Sequence, residues 1–248
     1  MTPGAATTAT THAYGEASYW DQRYSNDQGA FDWYQKYQSL SPLFDLYLRR
    51  HHRLLLVGCG NSALGENMVD DGYQDIVNID ISSVVIEAMQ KKYSDKPGLK
   101  YVKMDVRDMR SFESRSFDAV IDKGTLDSLM CGQNATENAT MMLQEIGRVL
   151  KDKGVYILIT YGDPSYRLYL LKDVELWTVK IHVIERVEKS PGQKTWEVTS
   201  PLPLNEDGNP VSGTLGANPE VHYIYVCTKD DSQRPSQRMH TDEARNEQ

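Results

Sequence analysis

Apolar residues fall along the chain in short runs separated by amphipathic stretches. Arg53 to Gly58 (RLLLVG), Asp75 to Asp80 (DIVNID), Phe117 to Ile121 (FDAVI) and Val155 to Thr160 (VYILIT) have strand length. Their unbroken apolarity predicts strands buried on both faces. Leu99 to Met104 alternates and predicts another strand, the third of five. Between them lie helices. Asn61-Ser62 offers N-cap chemistry for one that should stop near Gly72, and Ser82-Ser83 caps a second, Val84 to Tyr93. Glu137 to Leu150 repeats apolar residues at helical spacing, with a turn at Gly154 before the fifth strand. Strands alternating with helices imply right-handed crossovers and a parallel sheet. The ending differs. Leu176 to Val187 and Glu220 to Thr228 predict an antiparallel pair at the sheet edge, Lys194 to Ser200 a short strand, and Asn205 to Ala217 a loop.

The 248 residues suit one α/β domain spanning 14–228. The Thr/Ala-rich residues 1–13 and the polar residues 229–248 are expected to be disordered. No apolar run approaches the roughly 20 residues that cross a bilayer, and the N-terminus lacks the pattern of a secretory signal. Three scattered cysteines show no metal-ligand spacing and fit reduced thiols, so a cytoplasmic protein without a metal is expected. A net charge of -8, with no basic stripe, argues against nucleic acid as partner. No membrane association is expected, and a monomer is.

Candidate chemistry begins at Gly58-Cys59-Gly60-Asn61, directly after a buried strand and before a helix. Glycines there let the backbone turn tightly and approach a ligand, while the helix start offers N–H groups to an anion. Asp80 lies twenty residues past Gly60 at the end of the second strand, where a carboxylate can accept both hydroxyls of a ribose. Asp105 follows the third strand in the same way. Gly58-x-Gly60-x-x-Ala63 also satisfies a dinucleotide fingerprint. The hydride chemistry is missing, however: Tyr225 and Lys229, the Tyr-x-x-x-Lys pair, fall in a strand, where that spacing does not share a helical face.

Three strings narrow the reading: YWDQRY (Tyr19 to Tyr24), VGCGNSALGE, and DKGTLD (Asp122 to Asp127). Together they resemble the methyltransferase-like 13 / elongation factor 1-alpha lysine methyltransferase 4 family of class I S-adenosylmethionine-dependent methyltransferases. The resemblance spans about Ser18 to Thr160. It implies a Rossmann-like seven-stranded sheet, mostly parallel with an antiparallel C-terminal hairpin, and S-adenosyl-L-methionine as cofactor. It implies that Trp20, Tyr24 and Trp33 cover the cofactor, with Gly58, Gly60 and Asn61 beneath its methionine part. Asp80 with Ile81 would reach the ribose, Asp105 with Val106 would border the adenine, and Lys123 would be a further contact. Leu56 stands where an acid commonly opens the class I motif, and Ser62 replaces its third glycine; both departures are similar to the subgroup.

The implied reaction is protein-lysine methylation of an elongation factor 1-alpha-like substrate. DKGTLD replaces the Asn/Asp-Pro-Pro-aromatic tetrad that holds planar amines, which disfavours bases and glutamine as acceptors. Asp122, Asp127, Tyr161, Asp163 and Tyr166 are expected around the acceptor mouth, with no general base assigned. A small-molecule methyltransferase and a non-catalytic cofactor-binding module remain the alternatives.

Overall fold

The structure, a computed structural model, describes residues 14–27, 29–173, 177–186, 195–211, 213–215 and 219–230. In chain order the elements are α1 (Ala17–Asn26), α2 (Tyr37–Tyr47), β1 (Arg53–Val57), α3 (Leu64–Asp70), β2 (Asp75–Asp80), α4 (Ser83–Lys92) and β3 (Leu99–Lys103). Then follow β4 (Phe117–Lys123), α5 (Thr125–Met130), α6 (Ala135–Val149), β5 (Leu150–Thr160), α7 (Pro164–Asp173), β6 (Trp177–Glu185) and β7 (Val221–Lys229). They build one seven-stranded sheet ordered β3-β2-β1-β4-β5-β7-β6. The first five strands run parallel, and β7 inserts antiparallel to both β5 and β6.

Alternation along the central strands sorts the core into two layers. Leu54, Leu56, Ile76, Ala119, Ile121 and Ile157 face α1–α4, while Leu55, Val57, Val77, Ile79, Val120 and Leu158 face α5–α7. Burial on both faces is why these strands read as unbroken apolar runs. Helices α3 and α4 lie on one face and α5 and α6 on the other, so the winding reverses between β1 and β4. A cleft opens where it does.

Local signals act as expected at several ends. Ser82 caps α4, its hydroxyl accepting from Val85 N at 3.3 Å. The chain reverses after α3 at Gly72, whose φ is +95°. Residues 195–200 form no strand: they turn, and the neighbouring Leu202 N donates to Ile181 O instead. Lys194 lies outside the described residues. So do 1–13 and 231–248, which hold nearly all of both expected tails. Lys229 itself belongs to β7. Its ammonium donates to the Gly147 and Leu150 carbonyls at 2.7 Å each, satisfying acceptors that the end of α6 leaves open.

Candidate active site

At the C-terminal ends of β1, β2 and β4 lies a cleft of about 1070 Å³, a volume that includes its mouth open to solvent. All eleven residues expected at a cofactor line it. Its floor is the turn after β1. Gly58 and Gly60 have φ of +58° and +50°, a region that favours glycine. Both are also crowded: a Cβ on Gly58 would lie 1.9 Å from Thr125 Oγ1, and one on Gly60 2.6 Å from the Tyr24 hydroxyl. The backbone is therefore bare where it faces the cleft. Helix α3 starts at Leu64, later than Asn61-Ser62 suggested, although Ser62 Oγ still accepts from Leu64 N at 3.0 Å.

Asp80 ends β2 with its carboxylate beneath that turn. Gly60 N donates to one oxygen and Ser82 N to the other, each at 2.9 Å. Burial pushes its pKa up to about 6, with those N–H groups opposing the rise. A carboxylate has about four acceptor sites, more than its backbone donors Gly60, Ser82 and Ile81 fill. Asp105, beyond β3, is held by Arg107, whose Nη2 donates at 2.6 Å; Ile81 and Val106 supply apolar wall.

The cover comes from the N-terminal segment. Trp20 and Tyr24, four residues apart on α1, stack with centroids 5.9 Å apart. Asp21 clips this helix to the start of α4, accepting from Ser82 Oγ at 2.6 Å. A strap, residues 29–35, then crosses the cleft. The Gly29 carbonyl accepts from Asn61 and the Asp32 carboxylate from Ser62. Lys123 Nζ donates to Asp32 Oδ1 and to Trp33 O, each at 3.1 Å. Lys123 thus ties the strap down with its ammonium. Burial lowers its pKa and Asp32 opposes that. Phe31 and Trp33 remain exposed at the rim.

The expected acceptor group divides. Asp122 is fully buried and caps α5, accepting from Thr125 N at 2.7 Å, Leu126 N at 3.1 Å and the Tyr156 hydroxyl at 2.9 Å. Burial raises its pKa to about 7. Asp127 is a buried hub, accepting from Arg167 Nη2 at 2.5 Å, Thr160 Oγ1 at 2.6 Å and the Tyr34 hydroxyl at 2.7 Å. Asp163 starts α7, accepting from Ser165 N at 2.8 Å. None of these acids lines the cleft; only Tyr161 and Tyr166 present exposed rings. Reading the sequence missed Arg23, Phe31, Arg107 and Thr125, all of which line the cleft. Arg23 was findable, since it lies three residues from Trp20 and shares its helix face.

Residues 55–158 match the family model described as a methyltransferase domain. The eEF1A lysine and N-terminal methyltransferase of Bos taurus is 37% identical over 181 residues, covering 69% of this chain and 25% of that protein. That alignment is longer than the stretch from Ser18 to Thr160. EEF1A lysine methyltransferase 4 of Bos taurus is 37% identical over 164 residues, covering 62% of this chain and 64% of its own length. The chain therefore spans less than two thirds of either relative. Among solved structures, a TehB-like SAM-dependent methyltransferase from Corynebacterium glutamicum superposes with a TM-score of 0.53 at 17% identity, over 86% of this chain and 98% of that one. That likeness concerns the fold alone.

Proposed function

The chain belongs to the class I S-adenosylmethionine-dependent methyltransferases, and from that premise we propose that it methylates a lysine of an elongation factor 1-alpha-like protein. The observation that carries the reading is the bare glycine turn over Asp80, roofed by Trp20 and Tyr24, in a chain whose relatives bear eEF1A lysine methyltransferase names. The residues fit the cofactor. Asp80 offers acceptors for ribose hydroxyls, Asp105 and Val106 border room for a base, and the aromatic faces suit a sulfonium cation. When bound, S-adenosylmethionine supplies the electrophilic methyl group.

The chain's own contribution is placement and exclusion of water. Acceleration of this kind needs a neutral amine, and a lysine's reference pKa is about 10.4. No carboxylate among the described lining residues is placed as a base: Asp80 is engaged by backbone N–H groups and Asp105 by Arg107. Desolvation against the rim aromatics Phe31 and Trp33 would lower the ammonium's pKa instead. The acceptor then loses its proton to water on entering.

The test is to incubate the purified protein with elongation factor 1-alpha and methyl-labelled S-adenosylmethionine, then map the label by tandem mass spectrometry. Methyl on a lysine side chain is expected. Cofactor binding with label found only in small metabolites would overturn the lysine assignment and favour the small-molecule reading.

A further inference from the structure

Three basic side chains line the cleft, and two of them are engaged by acids. Arg107 grips Asp105, with Nε at 3.0 and 3.1 Å from the two carboxylate oxygens, and Lys123 lies 3.1 Å from Asp32. The third is Arg23. It has no carboxylate partner among the described residues. Its guanidinium carbon sits 5.8 Å from the ring centroids of both Phe31 and Trp33, and no described side chain accepts from its N–H fork.

Its position is informative. Arg23 precedes Tyr24, whose hydroxyl reaches the backbone at Gly60. Burial raises the Tyr24 hydroxyl's pKa, and the Arg23 charge opposes that rise. Arg23 packs against the strap that Gly29 and Asp32 fasten to Asn61 and Ser62, which puts it on the glycine-turn side, while Asp105 and Val106 lie past β3. Elsewhere in the site Arg107 and Lys123 are already neutralised by Asp105 and Asp32, and Asp80 would repel an anion. A ligand made of a nucleoside and an amino acid carries one carboxylate, and Arg23 is the cation free to receive it. A planar guanidinium also matches a carboxylate with two parallel hydrogen bonds.

We infer that Arg23 anchors the α-carboxylate at the methionine end of the cofactor. The inference rests on the cofactor assignment above. It also makes Arg23 a selector for amino-acid-bearing ligands over nucleosides that lack the carboxylate.

Calorimetric titration of the full chain with S-adenosylmethionine and with its decarboxylated analogue, for wild type and Arg23→Gln, separates the possibilities. Wild type should bind the decarboxylated analogue about tenfold or more weakly, the size expected for hydrogen bonds to a charged group. Arg23→Gln should weaken S-adenosylmethionine by a similar factor yet change the analogue's affinity less than about twofold. Arg23→Lys should recover part of the loss, which also controls for damage to the aromatic stack. Equal weakening of both ligands would assign Arg23 a packing role and overturn the inference, as would no weakening of either. Failure of wild type to bind either ligand would instead remove the cofactor assignment on which the inference stands.

Discussion

Gly60 combines a φ of +50° with a near contact to the Tyr24 hydroxyl. A left-handed backbone alone costs an L-residue about 1–2 kcal/mol, and an added methyl must also push the tyrosine aside. Gly60→Ala should therefore lower the unfolding temperature and weaken cofactor binding. Adding Tyr24→Phe, which removes the colliding oxygen, should return part of the stability; strictly additive losses by denaturant titration would refute the contact. Asp80 is the second test at this scale. Its carboxyl, raised to about 6 by burial, sits above the unfolded reference of about 3.9. Its ionisation thus costs the free protein stability as pH rises through 6, and the contribution is fully present only below the unfolded value. Ribose hydroxyls donate to the ionised form, so binding runs the other way. Affinity for S-adenosylmethionine should be flat above about pH 7 and fall on acidification through 6, by up to about tenfold per unit. Asp80→Asn should remove that dependence, and an unchanged slope would place the titrating group elsewhere.

Among the elements, the strap is the piece that neither helix nor strand signals announce. Residues 29–35 have no periodicity; their position follows from links to distant elements, Asp32 to Ser62 and Lys123, Tyr34 to Asp127, and Gln35 to the Glu185 carbonyl. Asp32→Asn should speed hydrogen exchange in the strap and weaken cofactor binding, and it should also cost some global stability because it strands the buried Lys123 ammonium. Protection equal to wild type would show that the ion pair does not fasten it. Asp127 joins strap, β5 and α7, and pairs with an Arg167 side chain only 4% exposed. Asp127→Asn should cost about 3–5 kcal/mol in denaturant titration, because it strands a buried guanidinium, and Arg167→Met should recover much of that loss. A loss below about 1 kcal/mol would contradict the buried pair. These cases also mark what the sequence discloses. The parallel strands and the edge pair were legible because burial on both faces demands unbroken apolar runs such as LLLV and VYILIT. So was the floor of the cleft, because glycines and strand-end acids are local signals. Asp122 and Asp127 misled, since a carboxylate at a strand end reads the same whether it faces a ligand or caps a buried helix. The segment at 195–200 misled too: Trp196 and Val198 pack against the core from a turn, giving an alternation that mimics a strand.

On the scale of the whole molecule, one sheet carries both halves of the site. The turn, Asp80 and Lys123 sit on β1, β2 and β4, and the roof of α1 and strap closes over them. A ligand filling the cleft would touch elements from the N-terminal helix to β4, so it should stabilise the fold as a unit. At a hundredfold excess over the dissociation constant the gain is about 2.7 kcal/mol, readable as a rise in unfolding temperature. The most direct measurement is calorimetric titration of the purified chain with S-adenosylmethionine, alongside an Asp80→Ala variant whose unfolding is shown to be cooperative. One site per chain, with affinity lost by more than about tenfold in the variant, is the expected result. A folded wild-type chain that binds no S-adenosylmethionine, or a variant that binds it as tightly, would contradict the assignment of this cleft.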